Sequence, residues 1–241
     1  MYIKEEILKA LETSSIEEVF KGKELLSDRL LILELMKMQI PVMPFVEEQL
    51  LNDKQFMFEV ISKFEAALEY VSEILKNDRD FIKSVVKENA NAFRYAEQKF
   101  KTDRELILEL IEDNPLVLDE VSEELVKDKK FISEAIEVNP FSILGVSVEM
   151  QRDQELLLQA IKQNADVLYF VEGSDEICCG KNFILEVVKV NGMALRYISE
   201  ELRADKEVVL EAIINNNDSL EFASDDLQED EEILKLIHNK K

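Results

Sequence analysis

The sequence is poor in the residues that build tight turns and imidazole-based catalysis. Its 241 residues include five Gly, four Pro, two Cys, one His and no Trp. So few Gly and Pro argue against an all-β chain, because many short strands need many tight turns. Every Ser-His-Asp or Cys-His arrangement would have to use the single histidine, His238, which excludes most acid–base relays built on imidazole.

Glycine-rich nucleotide motifs are also missing. The chain contains neither the G-x-x-x-x-G-K-[ST] phosphate loop nor the G-x-G-x-x-G dinucleotide motif. Carboxylate pairs are abundant, but among 52 Asp and Glu residues each pair is uninformative. We therefore predict a non-enzymatic protein without catalytic residues and without a cofactor.

Cysteine occurs only as the adjacent pair Cys178 and Cys179. Adjacent thiols do not easily supply two ligands of a tetrahedral zinc site, and no further Cys completes one, so we predict no metal site. The cysteine usage, the acidic first turn and the lack of an apolar run of ~20 residues predict a cytoplasmic protein without a membrane span. The sequence leaves export into a host cell open.

Basic residues are outnumbered. The 29 Lys and Arg residues against 52 Asp and Glu residues give a net charge of −23. Binding to nucleic acid or to an anionic membrane surface needs Lys and Arg patches, so neither is expected. A protein partner, in particular a basic one, suits this charge better, because complementary charge raises the encounter rate.

A step of 25 residues runs through almost the whole chain. The residues at that step are Asp28, Asp53, Asp78, Asp103, Asp128 and Asp153, followed after a two-residue insertion by Gly180, Asp205 and Asp230. A fixed period of this length predicts a stacked helical repeat protein, in which each unit buries its apolar face against its neighbours. Positions within a repeat are counted from this residue, which is position 0.

Each repeat carries the pattern of an amphipathic helix after its Asp. The Asp is a good N-cap, and apolar residues follow at positions 3, 4, 7 and 8, which lie on one helical face. Asn at position 11 suits a helix C-terminus in the left-handed conformation and also caps a following helix. The unit is therefore predicted to contain one helix of about ten residues, a shorter second helix carrying the aromatic position, and two tight corners. The Asn residues are Asn89, Asn114, Asn139, Asn164, Asn191 and Asn216.

The predicted fold class is an all-α solenoid of short helix pairs formed by a single repeat array over residues 1–241. Residues 1–27 form a degenerate opening unit. Eight full repeats occupy 28–229, with the insertion near 172–179, and residues 230–241 form a final half-repeat. Degenerate ends are expected, because terminal repeats present one polar outer face.

Written as a consensus, the unit is D-x-E-L-[IL]-L-x-A-[IV]-x-x-N followed by L-x-[YF]-[AV]-S-x-E-L. This resembles an uncharacterised domain-of-unknown-function family of tandem helical repeats found in bacteria, amoebae and giant viruses. The best agreement lies in Asp153 to Phe170 and Asn191 to Ser224. The resemblance covers residues 28–241 and weakens before 78, where Gln39 and Phe64 replace the Asn. It implies an α-helical solenoid and supplies no activity.

Two columns of side chains could form surfaces. Position 1 is basic in most repeats, either as a stripe for an acidic ligand or, as we favour, as cover for inter-repeat packing with salt bridges to nearby Glu. Position 17 is aromatic in six repeats, where it could anchor a peptide. We expect burial between repeats instead, because on a helical wheel this position lies near the apolar arc. The aromatic residues are Phe45, Tyr70, Tyr95, Phe170, Tyr197 and Phe222.

The outward arc of the first helix is predominantly acidic, most clearly at Glu105, Glu109 and Glu112. Such a ridge is normally solvated, but it is also a candidate partner-binding surface. It could mimic DNA, although a net charge of −23 spread over all faces is sparse beside the one charge per ~1.7 Å of duplex DNA.

Two segments break the period. Residues 36–45 lack the Asn and carry two Pro, and their apolar residues are candidate partner-binding residues if they form an exposed patch. The alternative is packing against the opening unit. The second segment is the insertion at 172–179, for which a bent loop is expected. The candidates in the first segment are Met36, Met38, Ile40, Val42, Met43 and Phe45.

Together these patterns predict a protein–protein interaction scaffold that binds its partner along the solenoid surface. Two alternatives remain open at this point: an acidic DNA mimic that inhibits a DNA-binding protein, and a structural or oligomerising spacer.

Overall fold

A computed structural model describes residues 4–21, 26–171 and 180–239. Among these residues the β structure is limited to an isolated parallel bridge between Leu26 and Val46, and almost all other regular structure is short helices. The predicted all-α repeat solenoid is therefore confirmed. The chain divides into two compact units, Met1–Leu106 and Ile107–Lys241. The assignment of an opening unit, eight repeats and a half-repeat remains a prediction from the period.

Each repeat begins with a long α-helix directly after position 0. The apolar positions 3, 4, 7 and 8 of these helices are buried throughout the full repeats, as the period predicted; Leu106, Ile107 and Ile111, for example, are 0% exposed. The long helices are Arg29–Lys37, Lys54–Ile61, Arg79–Glu88, Arg104–Ile111, Lys129–Val138, Gln154–Gln163, Lys181–Val190, Lys206–Asn215 and Glu231–Asn239. Two helices precede them, Lys4–Leu11 and Ile16–Phe20.

The second part of the repeat is a 3-10 helix. Its members are Met43–Phe45, Glu65–Tyr70, Ala90–Tyr95, Pro115–Glu120, Pro140–Gly145, Gly192–Tyr197 and Asn217–Phe222, with the α-helical turn Val167–Phe170 at the same place in the sixth repeat. A one-turn helix then leads to the next repeat: Glu48–Leu51, Glu73–Lys76, Phe100–Thr102 (itself 3-10), Glu123–Val126, Val148–Gln151, Glu200–Arg203 and Asp225–Gln228.

The repeat thus has three helical pieces where two were predicted. The second corner, written S-x-E-L in the consensus, is itself a helical turn. The shorter second helix is 3-10 because only about six residues separate two extended positions, the Asn at position 11 and the residue at position 18. In the fourth repeat these are Asn114, with φ −151° and ψ 105°, and Val121, with φ −76° and ψ 156°. So short a segment favours the tighter i→i+3 bonds.

The repeat Asn acts through its side chain and not through a left-handed backbone. Asn139 has φ −148°, so the expected left-handed helix end is wrong at this position. Its Oδ1 accepts a bond from Phe141 N at 3.1 Å, and its Nδ2 donates to Ile111 O at 3.2 Å, at the end of the preceding long helix. The Asn139 amide thus caps its own 3-10 helix and bonds a terminal carbonyl of the long helix in the preceding repeat.

A left-handed residue occurs in the first repeat, which lacks the Asn. Gln39 occupies position 11 of the first repeat and has φ 62°. An L-residue with a Cβ is strained in this conformation by roughly 1 kcal/mol, whereas glycine is not.

Replacing Gln39 with Gly is expected to stabilise the protein, by about 0.5–1 kcal/mol, because it removes this strain. The matched control is Gln39→Ala, which removes the same side chain and keeps the Cβ. Urea unfolding followed by circular dichroism measures both variants. Equal midpoints for the Gly and Ala variants would show that the left-handed backbone stores no strain.

Gly192 marks a close approach of the seventh and eighth repeats. A Cβ added to Gly192 would lie 2.3 Å from the backbone oxygen of Ala212, and Gly192 N donates to Asn215 Oδ1 at 2.8 Å. The start of this 3-10 helix therefore rests directly on the next long helix, and a side chain does not fit between them.

The substitution Gly192→Ala is expected to cost about 1–3 kcal/mol, because the backbone of one repeat has to move away from its neighbour. Gly180→Ala is the control, since a Cβ there meets nothing within 4 Å. Thermal melting of the two variants tests the contact. Similar melting temperatures for both would contradict a tight approach at Gly192.

Candidate functional site

The basic column at position 1 is used inside the array. Lys181 Nζ lies 2.7 Å from Asp205 Oδ2 and 2.9 Å from Glu207 Oε2 of the next repeat. Lys129 and Lys206 make the same pair of contacts with their following repeats. The preferred interpretation, salt bridges over the inter-repeat packing, is supported. The basic residue, however, contacts the Asp at position 0 of the next repeat as well as the expected Glu.

The same Asp also caps its own helix, so its two oxygens have separate roles. Asp205 Oδ1 accepts from Glu207 N at 3.0 Å and from Val208 N at 3.3 Å, while Oδ2 faces Lys181. The bond from Lys181, together with those from the backbone amides, lowers the pKa of Asp205 below its ordinary value of 3.8. The bonds from Asp205 and Glu207 raise the pKa of Lys181.

This arrangement uses up the positive charge that an acidic ligand would need. The pairs Arg29–Asp53, Lys54–Asp78 and Arg79–Asp103 repeat it in the residues before 107. The basic column is therefore a structural device that joins consecutive repeats, and the position-2 glutamates of several repeats are partly neutralised by it.

The aromatic column behaves differently from the prediction. None of its six members is buried: Tyr70 and Phe170 are exposed, and the other four are half-buried. The expected burial between repeats is wrong, because positions 14 and 15 of the 3-10 helix and the extended residue at position 18 fill that space instead. Ala67, Leu68 and Val71 are examples, each no more than 3% exposed.

Aromatic rings of the fifth, sixth and seventh repeats contact one another, and Arg196 links them to Phe222 of the eighth repeat. We call Phe141, Tyr169, Phe170, Tyr197 and Phe222 the aromatic surface. Its two central residues are well exposed, Tyr169 at 71% and Phe170 at 58%. Large exposed apolar groups placed side by side are typical of interaction sites.

The rings touch one another across the repeats. The centroid of Phe170 lies 6.0 Å from that of Phe141 and 5.0 Å from that of Tyr169, both in edge-to-face contact. Tyr169 and Tyr197 follow at 6.3 Å, and the Arg196 guanidinium lies 5.5 Å from the Tyr197 ring and 6.0 Å from the Phe222 ring. The aromatic surface is therefore continuous from the fifth to the eighth repeat.

A hydrogen bond holds the middle of this surface in place. The Tyr197 hydroxyl donates to Asp166 Oδ1 at 2.6 Å, from one repeat to the one before it. Loss of solvent and this bond to a carboxylate together raise the pKa of Tyr197. The bond limits the rotamers of the Tyr197 ring, which favours binding because less rotamer freedom remains to be lost.

Part of this surface was predictable from the sequence. The column at position 17 contains Phe170, Tyr197 and Phe222, whereas Phe141 and Tyr169 occupy positions 13 and 16, where no other repeat carries an aromatic residue. The signal that could have identified them is the single appearance of an aromatic residue at each of these positions, in the fifth and in the sixth repeat.

The candidate segment at residues 36–45 does not form an exposed patch. Met36, Val42 and Met43 are buried, Ile40 and Phe45 are half-buried, and Met38 is exposed at 51%. Phe45 stacks on Phe20 at 4.8 Å, and Leu26 N donates to Phe45 O at 2.7 Å. The alternative, packing against the opening unit, is what the contacts show. A partner-binding role for the three buried residues would require unfolding of the segment.

The three candidate glutamates differ in exposure. Glu105 and Glu112 are exposed, the former with Arg79 at 3.9 Å, and Glu109 is half-buried. The ridge is therefore less continuous than the helical wheel predicted. The insertion at 172–179, with Cys178 and Cys179, lies outside the described residues.

Two further kinds of feature are absent from the described residues. They contain no group of three or more His, Cys, Asp or Glu side chains placed to bind a metal ion. Nor do they include a helix with both the length and the apolar character of a membrane span.

Comparison with known families gives one result. The family described as "Domain of unknown function (DUF4116)" matches residues 53–101, 103–151, 180–228 and 205–237. The chain belongs to this family. The DUF4116 matches begin at residue 53 and leave out residues 152–179. The irregular first repeat therefore lies outside them, although the resemblance was expected from residue 28, and so does Asp153 to Phe170, where the best agreement was expected. No curated protein and no solved structure matches the chain.

The pairing of Lys181 with Asp205 makes a prediction about pH. Because the folded pKa of Asp205 is lowered, the stabilisation is complete above the unfolded value of 3.8 and disappears as the pH falls through the lower folded pKa. The variant Asp205→Asn, which keeps an N-cap side chain, is therefore expected to be less stable than the parent at pH 7, and the difference should shrink as the pH falls below 3.8.

Melting temperatures between pH 7 and pH 2 measure this difference. The control is the same substitution in a protein that already carries Lys181→Gln. There the effect of Asp205→Asn on the melting temperature at pH 7 should be smaller, because the ion pair is already lost. A pH-independent difference between parent and Asp205→Asn would contradict the pairing.

Proposed function

We propose that the chain is a non-enzymatic scaffold that binds an extended segment of a protein partner on the outer side of its 3-10 helices. The observation that carries the proposal is the continuous aromatic surface. Exposed Tyr and Phe anchors are typical of the residues that dominate binding energy at protein interfaces. Helical repeats favour extended ligands, because each repeat adds one more contact along the same side.

The partner segment is proposed to be basic. Acidic residues flank the aromatic surface at both ends, Asp119 and Glu120 in the fourth repeat and Asp218, Glu221 and Asp225 in the eighth. Arg196 is the one basic residue at positions 13, 16 and 17 of the described repeats from the fourth to the eighth. A basic segment would be attracted by these flanks and held by the rings between them.

The double variant Tyr169→Ala/Phe170→Ala tests the proposal. Both side chains are exposed, so the fold should remain intact, as circular dichroism can verify. Capture of a specific protein by the immobilised parent chain should fall at least about tenfold in this variant, because two aromatic anchors are lost. Tyr70→Ala, in the second repeat, is the control and should capture as much as the parent.

Three results would contradict the proposal. The first is equal capture by the parent and the double variant. The second is a captured DNA-binding protein that duplex DNA displaces and the aromatic substitutions do not affect, which is the outcome expected of a DNA mimic. The third is self-association in light scattering that the double variant abolishes without any other protein being bound, as for an oligomerising spacer.

A further inference from the structure

A recess lies between the 3-10 helices of the seventh and eighth repeats, next to the aromatic surface. Its volume is about 520 Å³, and its lining consists of Met193, Asn217, Asp218, Leu220, Glu221 and Gln228. Met193 and Leu220 are half-buried and provide apolar contact area. Asp218 and Glu221 are exposed and bring two carboxylates to the same recess.

These two carboxylates are unlike those of the long helices. Glu207 and Glu232 each lie within 3 Å of a lysine from the preceding repeat. Neither Asp218 nor Glu221 forms an ion pair with any residue in the part of the chain that the structure describes. Their negative charge is therefore available to a ligand.

A third acceptor in the recess also lacks a partner. The Asn217 side-chain oxygen is buried and accepts no hydrogen bond within the described residues. A ligand donor would reach this oxygen only if the Asn217 side chain turned toward the recess, and it would then supply the missing partner. Gln228 Nε2 is already used, since it donates to the backbone oxygens of Glu221 and Ala223.

We propose that this recess binds the side chain of an arginine in the partner segment. The proposal rests on the proposed function, since the arginine belongs to the segment that lies on the aromatic surface. The methylene stem would contact Met193 and Leu220, and the guanidinium would donate to Asp218 and Glu221. Arginine fits better than lysine, because its planar fork of donors bonds two carboxylates at once and its charge is more weakly hydrated.

The aromatic surface already shows how a guanidinium is accommodated here. Arg196 lies against both the Tyr197 and Phe222 rings, and Phe222 directly follows Glu221 in the chain. An arginine in the recess would therefore be followed along the partner segment by residues over these rings. The recess would thus form the end of the binding surface that selects a positively charged side chain of the partner.

Methyl resonances of the seven methionines provide a direct test. The protein is labelled at the methionine methyl carbons, and Met193 is assigned with the variant Met193→Leu. Titration with N-acetyl-arginine amide should shift the Met193 methyl signal, whereas Met36 and Met43, buried elsewhere, should not move. The probe N-acetyl-citrulline amide has nearly the same shape without the charge and should cause no saturating shift.

The double variant Asp218→Asn/Glu221→Gln should weaken binding of the arginine probe roughly three- to tenfold, as expected for the loss of two partly exposed ion pairs. The variant Asp226→Asn/Glu229→Gln removes the same charge from exposed positions of the same repeat and should bind like the parent. Equal shifts with arginine and citrulline probes, or unchanged arginine binding by the Asp218 and Glu221 variant, would overturn the arginine site.

The two proposals fail separately. If the aromatic variant loses its protein partner while the arginine probe leaves Met193 unaffected, the docking surface stands and the arginine site is wrong. If the probe binds as expected and no protein is captured, the recess is a cation site and the proposed function is wrong.

Discussion

The structure depends on one carboxylate that serves two repeats. One oxygen of the Asp at position 0 accepts the first amides of its own long helix, and the other meets the Lys or Arg at position 1 of the repeat before it, as Asp205 does with Lys181. A helix start and a repeat junction are thereby fixed by the same side chain. The repeat Asn also links two repeats, at the end of the long helix. Asn139 caps its own 3-10 helix and bonds Ile111 O in the long helix of the preceding repeat. Because both residues link neighbouring repeats, the period at which they recur in the sequence is also the period at which the repeats stack.

These links could be predicted because they repeat. The apolar residues at positions 3, 4, 7 and 8 give a helix with one buried side, and Asp before them gives its start. A salt bridge from position 1 was expected, but with Glu as the partner and not with the Asp at position 0. A single sequence shows which residues recur, whereas the partner of Lys181 depends on how the two long helices are offset along their axes.

The surface could not be predicted in the same way. The wheel used for position 17 treated the segment as one continuous helix, whereas the short helix ends at position 17 and the extended residue at position 18 fills the core in its place, as Val71 does after Tyr70. Phe141 and Tyr169 occur once each at their positions, so no column identifies them, and only the contacts between repeats show that they adjoin Phe170. Similarly, the apolar character of residues 36–45 indicated either a surface or a core, and the stacking of Phe45 on Phe20 decides for the core.

One junction of the array differs from the rest. Between the sixth and seventh repeats, position 1 is the uncharged Gln154 and position 0 is Gly180, so the ion pair that joins the other neighbours has no charged partner on either side. The long helices still pack there, and Asn191 Nδ2 reaches Ile161 O at 2.8 Å. Cooperativity in a repeat array passes only through nearest neighbours, so at this junction it is carried by helix packing and the Asn191 bond without this ion pair. Tyr169 and Tyr197 face each other across that junction, and a ligand lying over both rings would add a further link between the repeats on its two sides.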